Sequence, residues 1–386
     1  MTERHTFHFD AAPDRRQTES IKWDRYASAE VIPLWVADMD FNSPPSVMAA
    51  LNDRVAHGVF GYSSAPKALM KAIVRHIDKH FGWRIDPHWL VFLPGLVTGL
   101  NVACRTAGKP GDAVMTATPV YPPFLSAPVN MHRQLITAPM AVSKDGEWGF
   151  DWAAMEAAVT AETRLFILCS PHNPTGRLWR REELEHVAAF CRRHDLILCS
   201  DEIHADLVLH PTRQHIPTAS LDADAAQRSI TLMAPSKTYN IAGLGCAYAI
   251  IPNEGLRASF EAAAAGIVPH VNLLGYTAAL GAYTGGADWL AALLDYLREN
   301  HQLVQKAVAD MPGLSMIGAE ATYLAWIDTR QSGIKDPAAF FESAGVGLSC
   351  GKEFAGDGFV RLNFGCPRPR LEEALGRMAV ALRSRR

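Results

Sequence analysis

The chain has 386 residues, 48% of them hydrophobic and 20% charged, with a formal net charge of −3. That is the make-up of an ordinary globular protein, long enough for a large core and more than one domain. The near-neutral charge argues against nucleic-acid binding as the main task, and no run is long and apolar enough to span a bilayer, so a small-molecule ligand is expected. The amino-terminal stretch carries Arg4, His5 and Asp10 with no apolar signal-peptide core, which makes the cytoplasm the default location. Cys104, Cys169, Cys191, Cys199, Cys246, Cys350 and Cys366 are scattered, form no C-x-x-C pair and lie partly inside apolar runs. They read as reduced core thiols, with no disulfide framework or metal site.

In chain order, the first fifty residues form an irregular arm too apolar to be a free tail, with Leu34-Trp35-Val36-Ala37-Asp38-Met39-Asp40-Phe41 at its centre. From Pro66 to Phe81, Leu69, Ile73, Ile77 and Phe81 recur every four residues, which predicts an amphipathic helix. Seven short apolar runs follow: Trp89 to Leu93, Ala113 to Met115, Arg133 to Thr137, Leu165 to Cys169, Leu196 to Cys199, Ile230 to Met233 and Cys246 to Ile251. Helical stretches separate them, one marked by Leu184, Val187, Ala188 and Cys191 at i, i+3, i+4 and i+7. Strands apolar on both faces and divided by helices imply a largely parallel sheet covered on each side. Beyond about residue 285 the texture changes to longer helices and short strands, including Phe359 to Phe364 and a last helix through Leu371, Leu375, Met378 and Leu382. The expected division is an arm over 1–48 belonging to the smaller domain, a large domain over 49–284 and a small α+β domain over 285–386.

Unusual polar residues gather where these strands end, the place where open α/β sheets bind ligands. Pro94-Gly95-Leu96-Val97-Thr98 opens a helix whose free N–H groups can hold an anion, although a plain strand-helix turn also explains it. Tyr121 could stack on a flat ring or sit in the core. In Ser170-Pro171-His172-Asn173-Pro174-Thr175-Gly176 a turn accounts for the prolines and glycine but not for Asn173. Asp201 ends a buried strand, where a carboxylate needs a cationic partner, a ligand or a helix to cap. A protonated pyridine would satisfy it: at about 4 Å and an effective dielectric near 20 the attraction is about 4 kcal/mol. Lys237 lies between two apolar runs in Ala234-Pro235-Ser236-Lys237-Thr238-Tyr239-Asn240. Burial there would lower its pKa and make its amine a nucleophile toward a carbonyl.

The ordered set Tyr121, Asn173-Pro174-Thr175-Gly176, Asp201-Glu202-Ile203-His204, Ser236-Lys237 and Arg361 resembles the fold-type I pyridoxal-phosphate enzymes of the class I/II aminotransferase superfamily. Val36 to Phe41, Gly58-Val59-Phe60-Gly61-Tyr62, Ala234 to Leu244 and Phe359 to Pro367 are similar, more narrowly, to cystathionine β-lyases of the MalY/PatB type. The resemblance runs from about residue 20 to the end. It implies an α/β fold of that type, with a large domain built on a mostly parallel seven-stranded sheet beside a smaller α+β domain.

By this resemblance Lys237 would bind pyridoxal 5'-phosphate covalently and shuttle the proton at substrate Cα. Asp201 would face the ring nitrogen, Asn173 and His204 the phenolic oxygen, and Tyr121 the ring face. Gly95, Leu96, Val97 and Ser236 would hold the phosphate with Tyr62 of a neighbouring subunit, in a homodimer with shared active sites. Arg361 would clamp the substrate carboxylate. Asp40 and the Asp38 to Phe41 stretch of the arm would border the substrate, as would residues around His270, Val271 and Asn272 from the other subunit; Trp35 and Tyr323 are either neighbours of this pocket or core residues. Two phosphate ligands common in the superfamily are replaced here by Ala234 and Gly245, and the second of these departures fits the narrower branch. The implied activity is β-elimination from an S-substituted cysteine such as cystathionine, giving thiol, pyruvate and ammonia. An aminotransferase using the same residues is the alternative. A cofactor-binding regulator is a further one, although no helix-turn-helix or basic region accompanies it.

Overall fold

The computed structural model describes residues 7–26 and 30–385, so Arg4 and His5 lie outside it. Its strands in chain order are β1 (Ile32–Pro33), β2 (Leu90–Leu93), β3 (Ala113–Thr118), β4 (Gln134–Val142), β5 (Trp148–Phe150), β6 (Thr163–Cys169) and β7 (Ile197–Asp201). They continue with β8 (Ser229–Met233), β9 (Ala247–Ile250), β10 (Ser315–Met316), β11 (Leu324–Asp328), β12 (Val346–Gly347), β13 (Ser349–Cys350) and β14 (Phe359–Asn363). Eight of them form one sheet in the order β2-β9-β8-β7-β6-β3-β4-β5. The central run β4, β3, β6, β7 and β8 is parallel; at one edge β9 runs antiparallel to both β8 and β2, and at the other β5 runs antiparallel to β4.

All seven expected strands are present, with ends shifted by a few residues. The eighth, β5, escaped the sequence reading because three residues, Trp148-Gly149-Phe150, are too few to show a period. The alternation along β6 explains why this sheet is covered on both faces. Leu165, Ile167 and Cys169 enter one apolar cluster with Leu100 and Phe260, whereas Phe166 and Leu168 enter another with Val187 and Phe190. Successive side chains of a strand point to opposite faces, so a continuous apolar run needs a helical layer on each side. The helix Arg181–Arg193 supplies part of one layer through Leu184, Val187, Ala188 and Cys191, all buried. The helix Lys67–Phe81 buries Leu69, Ile73 and Ile77 elsewhere on the same body.

A second, antiparallel sheet has the order β10-β11-β14-β13. The amino-terminal arm joins this end of the molecule, since β1 pairs in parallel with β12. Leu34, Met39 and Phe41 of the arm share a core with Leu293, Leu297, Leu324, Val360 and Leu371. Asn240 ties the same arm to the large sheet: it accepts from the Met39 amide at 3.0 Å and donates to the carbonyls of Met39 and Phe41 at 2.9 and 2.7 Å. A residue three positions after Lys237 therefore fixes where the arm crosses the strand ends.

Candidate active site

The carboxyl ends of the parallel strands open into a cavity of about 220 Å³ lined by Val36, Ala37, Gly95, Leu96, Val97, Tyr121, Cys169, Asn173, Asp201, Ile203, His204, Ser236, Lys237, Ala242 and Arg361. Parallel strands all deliver their C-terminal residues to one rim, which is why Tyr121, Asn173, Asp201 and Lys237 meet here.

Lys237 follows β8, and its amine donates to the Ala37 carbonyl at 2.5 Å. Its surface is partly accessible only because it faces the cavity. Burial above all, with the Arg361 charge, lowers its pKa to about 8 against the opposing pull of Asp38 and Asp201. Asp201 is the last residue of β7 and 4% exposed. Burial pushes its carboxyl up to about 7, although its Oδ1 accepts from the Ile203 amide at 3.2 Å and Lys237 favours ionisation. A buried acid held this close to neutrality is a site waiting for a cation.

Arg361, in the middle of β14, reaches in from the second sheet and is 4% exposed. Its Nη1 donates to Asn173 Oδ1 at 3.0 Å and its Nη2 to the Trp35 carbonyl at 2.8 Å, and the guanidinium lies 4.6 Å above the Phe354 ring. A guanidinium only donates, so the Asn173 oxygen must face it and the Asn173 amide N–H₂ is left for the cavity. The Arg361 Nε has no partner among the described residues, and neither does Nδ1 of His204, which is 2% exposed. Burial, with the charges of Lys237 and Arg361, drives the His204 pKa down to about 3, so the imidazole is neutral. The helix Leu96–Thr106 starts at Gly95 with no side-chain cap, which leaves its first-turn N–H groups free at the rim.

These features form a test of fit for pyridoxal phosphate, and the residues pass it. A free helix N-terminus suits the phosphate and a near-neutral buried acid suits the pyridine nitrogen. The Arg361 Nε donor and the imidazole nitrogen of His204, both without protein partners, suit polar groups of a ligand, and a buried amine of lowered pKa suits the aldehyde carbon.

Two predicted site residues stand elsewhere in the protomer. Asp40 is fully buried but does not line the cavity; it pairs with Lys22 at 3.2 Å, Arg15 at 3.0 Å and Arg370 at 3.0 Å and accepts from the Trp23 indole at 3.0 Å. The expectation that Asp40 borders the substrate is corrected on this ground, because three cations already claim its carboxylate. The arm instead offers Val36 and Ala37, whose apolar and main-chain contributions carry no signal in sequence. Tyr62 is wholly exposed, at 109%, on an irregular segment with Val59 and Phe60 also exposed. Of the undecided pair, Trp35 contributes its carbonyl to Arg361, and Tyr323 is a buried residue whose hydroxyl donates to the Ala37 carbonyl at 3.1 Å. His270 and Asn272 are exposed and Val271 is buried, with Asn272 capping the helix Leu273–Gly285.

Fold and cavity together define a fold-type I enzyme of amino-acid chemistry. The family described as aminotransferase class I and II matches residues 29–378. Cystathionine β-lyase PatB of Bacillus subtilis is 36% identical to this chain, covering 97% of it and 99% of PatB. Among solved structures, OvoB superposes with a TM-score of 0.96 at 50% identity, covering 98% of this chain and all of that one. Cystalysin from Treponema denticola, described as containing a pyridoxal 5'-phosphate cofactor, superposes with a TM-score of 0.94 at 32% identity, covering 99% and 100%. The chain belongs to the class I and II aminotransferase family and, within it, to the MalY/PatB-type branch of cystathionine β-lyases.

Proposed function

We propose that this chain is a pyridoxal-phosphate-dependent carbon–sulfur β-lyase acting on S-substituted cysteines, cystathionine among them. The observation that carries the reading is the single cavity in which the buried Lys237 amine, the near-neutral Asp201 and the Arg361 guanidinium face one another. Its relatives named as cystathionine β-lyases and C–S lyases support the reaction over amino transfer. When bound, the cofactor supplies an electron sink that stabilises negative charge at substrate Cα.

The chain's own residues divide the remaining work. Arg361 holds the substrate α-carboxylate through the donors it has free, which sets the Cα–H bond toward Lys237. Lys237, with its pKa brought to about 8, removes that proton as a base near its working pH. Asp201, once ionised, would hold the ring nitrogen of the cofactor, Asn173 and the neutral His204 would hold its phenolic oxygen, and Tyr121 would cover the ring. The first-turn amides at Gly95, Leu96 and Val97, together with Ser236, would hold the phosphate. The exposed Val59, Phe60 and Tyr62 support a homodimer in which Tyr62 completes the partner's phosphate site. Among the described residues no helix is long and apolar enough to cross a membrane.

Incubating the cofactor-loaded protein with L-cystathionine and no 2-oxo acid tests the reading. Equal amounts of pyruvate and thiol over many turnovers are expected. Absence of turnover, with amino transfer once a 2-oxo acid is added, identifies an aminotransferase instead.

A further inference from the structure

A cavity larger than the one that contains Lys237 lies elsewhere in the structure. A cleft of about 560 Å³ lies between the helix Lys67–Phe81, the loop that follows β7 and the long helix Ala287–Ala309. Its walls differ in kind. One is basic, with Arg75, Lys79 and His80 from the first helix and His210 and Arg213 from the loop, while Arg298 sits midway along the long helix. The other is apolar, built from Ala287, Leu290, Ala291 and Leu294.

The charge is not balanced within the cleft. Among the described residues lining it, Asp206 is the one carboxylate, and it is engaged with His76 at 2.8 Å and with the Thr238 hydroxyl at 3.3 Å. Arg213 pairs with Glu320, and Arg298 with the exposed Asp295. Arg75 and Lys79 have no carboxylate partner among the described residues. Cations at the end of a helix are favourable whatever lies nearby, which explains Lys79 and His80. It does not explain basic groups brought to the same cleft by two other elements. The proton affinities agree with an excess of positive charge: after burial, His80 is disfavoured as a cation by His76 and Lys79, His210 by Arg213 and Arg180, and Arg213 by Arg180 and Arg177.

We propose that this cleft is a second ligand site, which binds a small organic anion with its charged end on the Arg75–Lys79 side and its apolar body against the Leu290–Leu294 face. The volume suits a molecule of amino-acid to aromatic-acid size. An inorganic ion meets only half of this environment and binds less well. The floor of the cleft is the far side of the turn that carries the catalytic lysine, since Asp206 holds Thr238 and Tyr239 lines the cleft. An occupant therefore sits behind Lys237 without entering the catalytic cavity.

The test uses the cofactor-loaded protein and phthalate as the probe, with inorganic phosphate for comparison, followed by titration calorimetry. Saturable binding of one phthalate per chain, weakened by at least tenfold in an Arg75→Glu/Lys79→Glu double variant and retained in Arg361→Lys, is the expected result. Both exposed positions tolerate the change, and unaltered pyruvate production from cystathionine confirms that the double variant is folded. Binding that is unchanged by the double substitution, or lost in Arg361→Lys, overturns the proposal, the latter because it places the probe at the substrate-carboxylate site. Phosphate binding as tightly as phthalate refutes the role of the apolar wall.

Discussion

Replacing Asp201 by Asn separates the stability of the empty protein from its fitness for the cofactor. Folding carries this carboxyl from its ordinary pKa of 3.8 to about 7, chiefly through burial. Between those values the folded, cofactor-free protein keeps a proton that the unfolded chain gives up, so stability falls as pH rises through the window, by about 1.4 kcal/mol per pH unit. The cost is about 2 kcal/mol at pH 5 and reaches about 4 kcal/mol above pH 7, where the window closes. Asp201→Asn removes it, because a neutral amide of the same shape still accepts from the Ile203 amide. Urea unfolding of the cofactor-free proteins, followed by tryptophan fluorescence, is expected to show the variant more stable at pH 8 by up to about 4 kcal/mol and by a smaller margin at pH 5. With pyridoxal phosphate added the order inverts, since the variant loses the charge that faces the ring nitrogen. A variant no more stable than the parent at pH 8, or a gain independent of pH, refutes the reasoning.

Arg361→Lys breaks the contacts to Asn173 and Trp35 together and removes the planar donor pair, so kcat/KM for cystathionine is expected to fall about a hundredfold or more in pyruvate assays, at about 1.5–3 kcal/mol for each charged hydrogen bond lost. Asp40→Ala leaves Lys22 buried without its closest carboxylate and is expected to cost about 3–5 kcal/mol in denaturant unfolding while KM stays unchanged; a raised KM at full stability would return Asp40 to the substrate. Six of the seven cysteines are buried, and burial pushes thiols such as Cys104 and Cys191 up to about 12, so titration of the native protein with a thiol reagent is expected to find only Cys350.

The amino-acid sequence alone determined the sheet and most of its ligand rim. The runs that became β6 and β7 are apolar at every position and that of β8 at all but Thr231, which marks strands covered on both faces, and the polar residues that follow these runs, Asn173, Asp201 and Lys237, arrive at one rim. Tertiary structure decided what the arm does. Asp38 and Asp40 look alike beside the motif, yet packing against Arg15, Lys22 and Arg370 commits Asp40 to the interior and brings Ala37 to the lysine through a carbonyl that every residue possesses. It also decided the orientation of Asn173, set by an arginine 188 residues away, and gathered basic side chains from three elements around a cleft that no local pattern announces. Periodicity reports which face of an element is buried; it carries no information about which distant groups meet there.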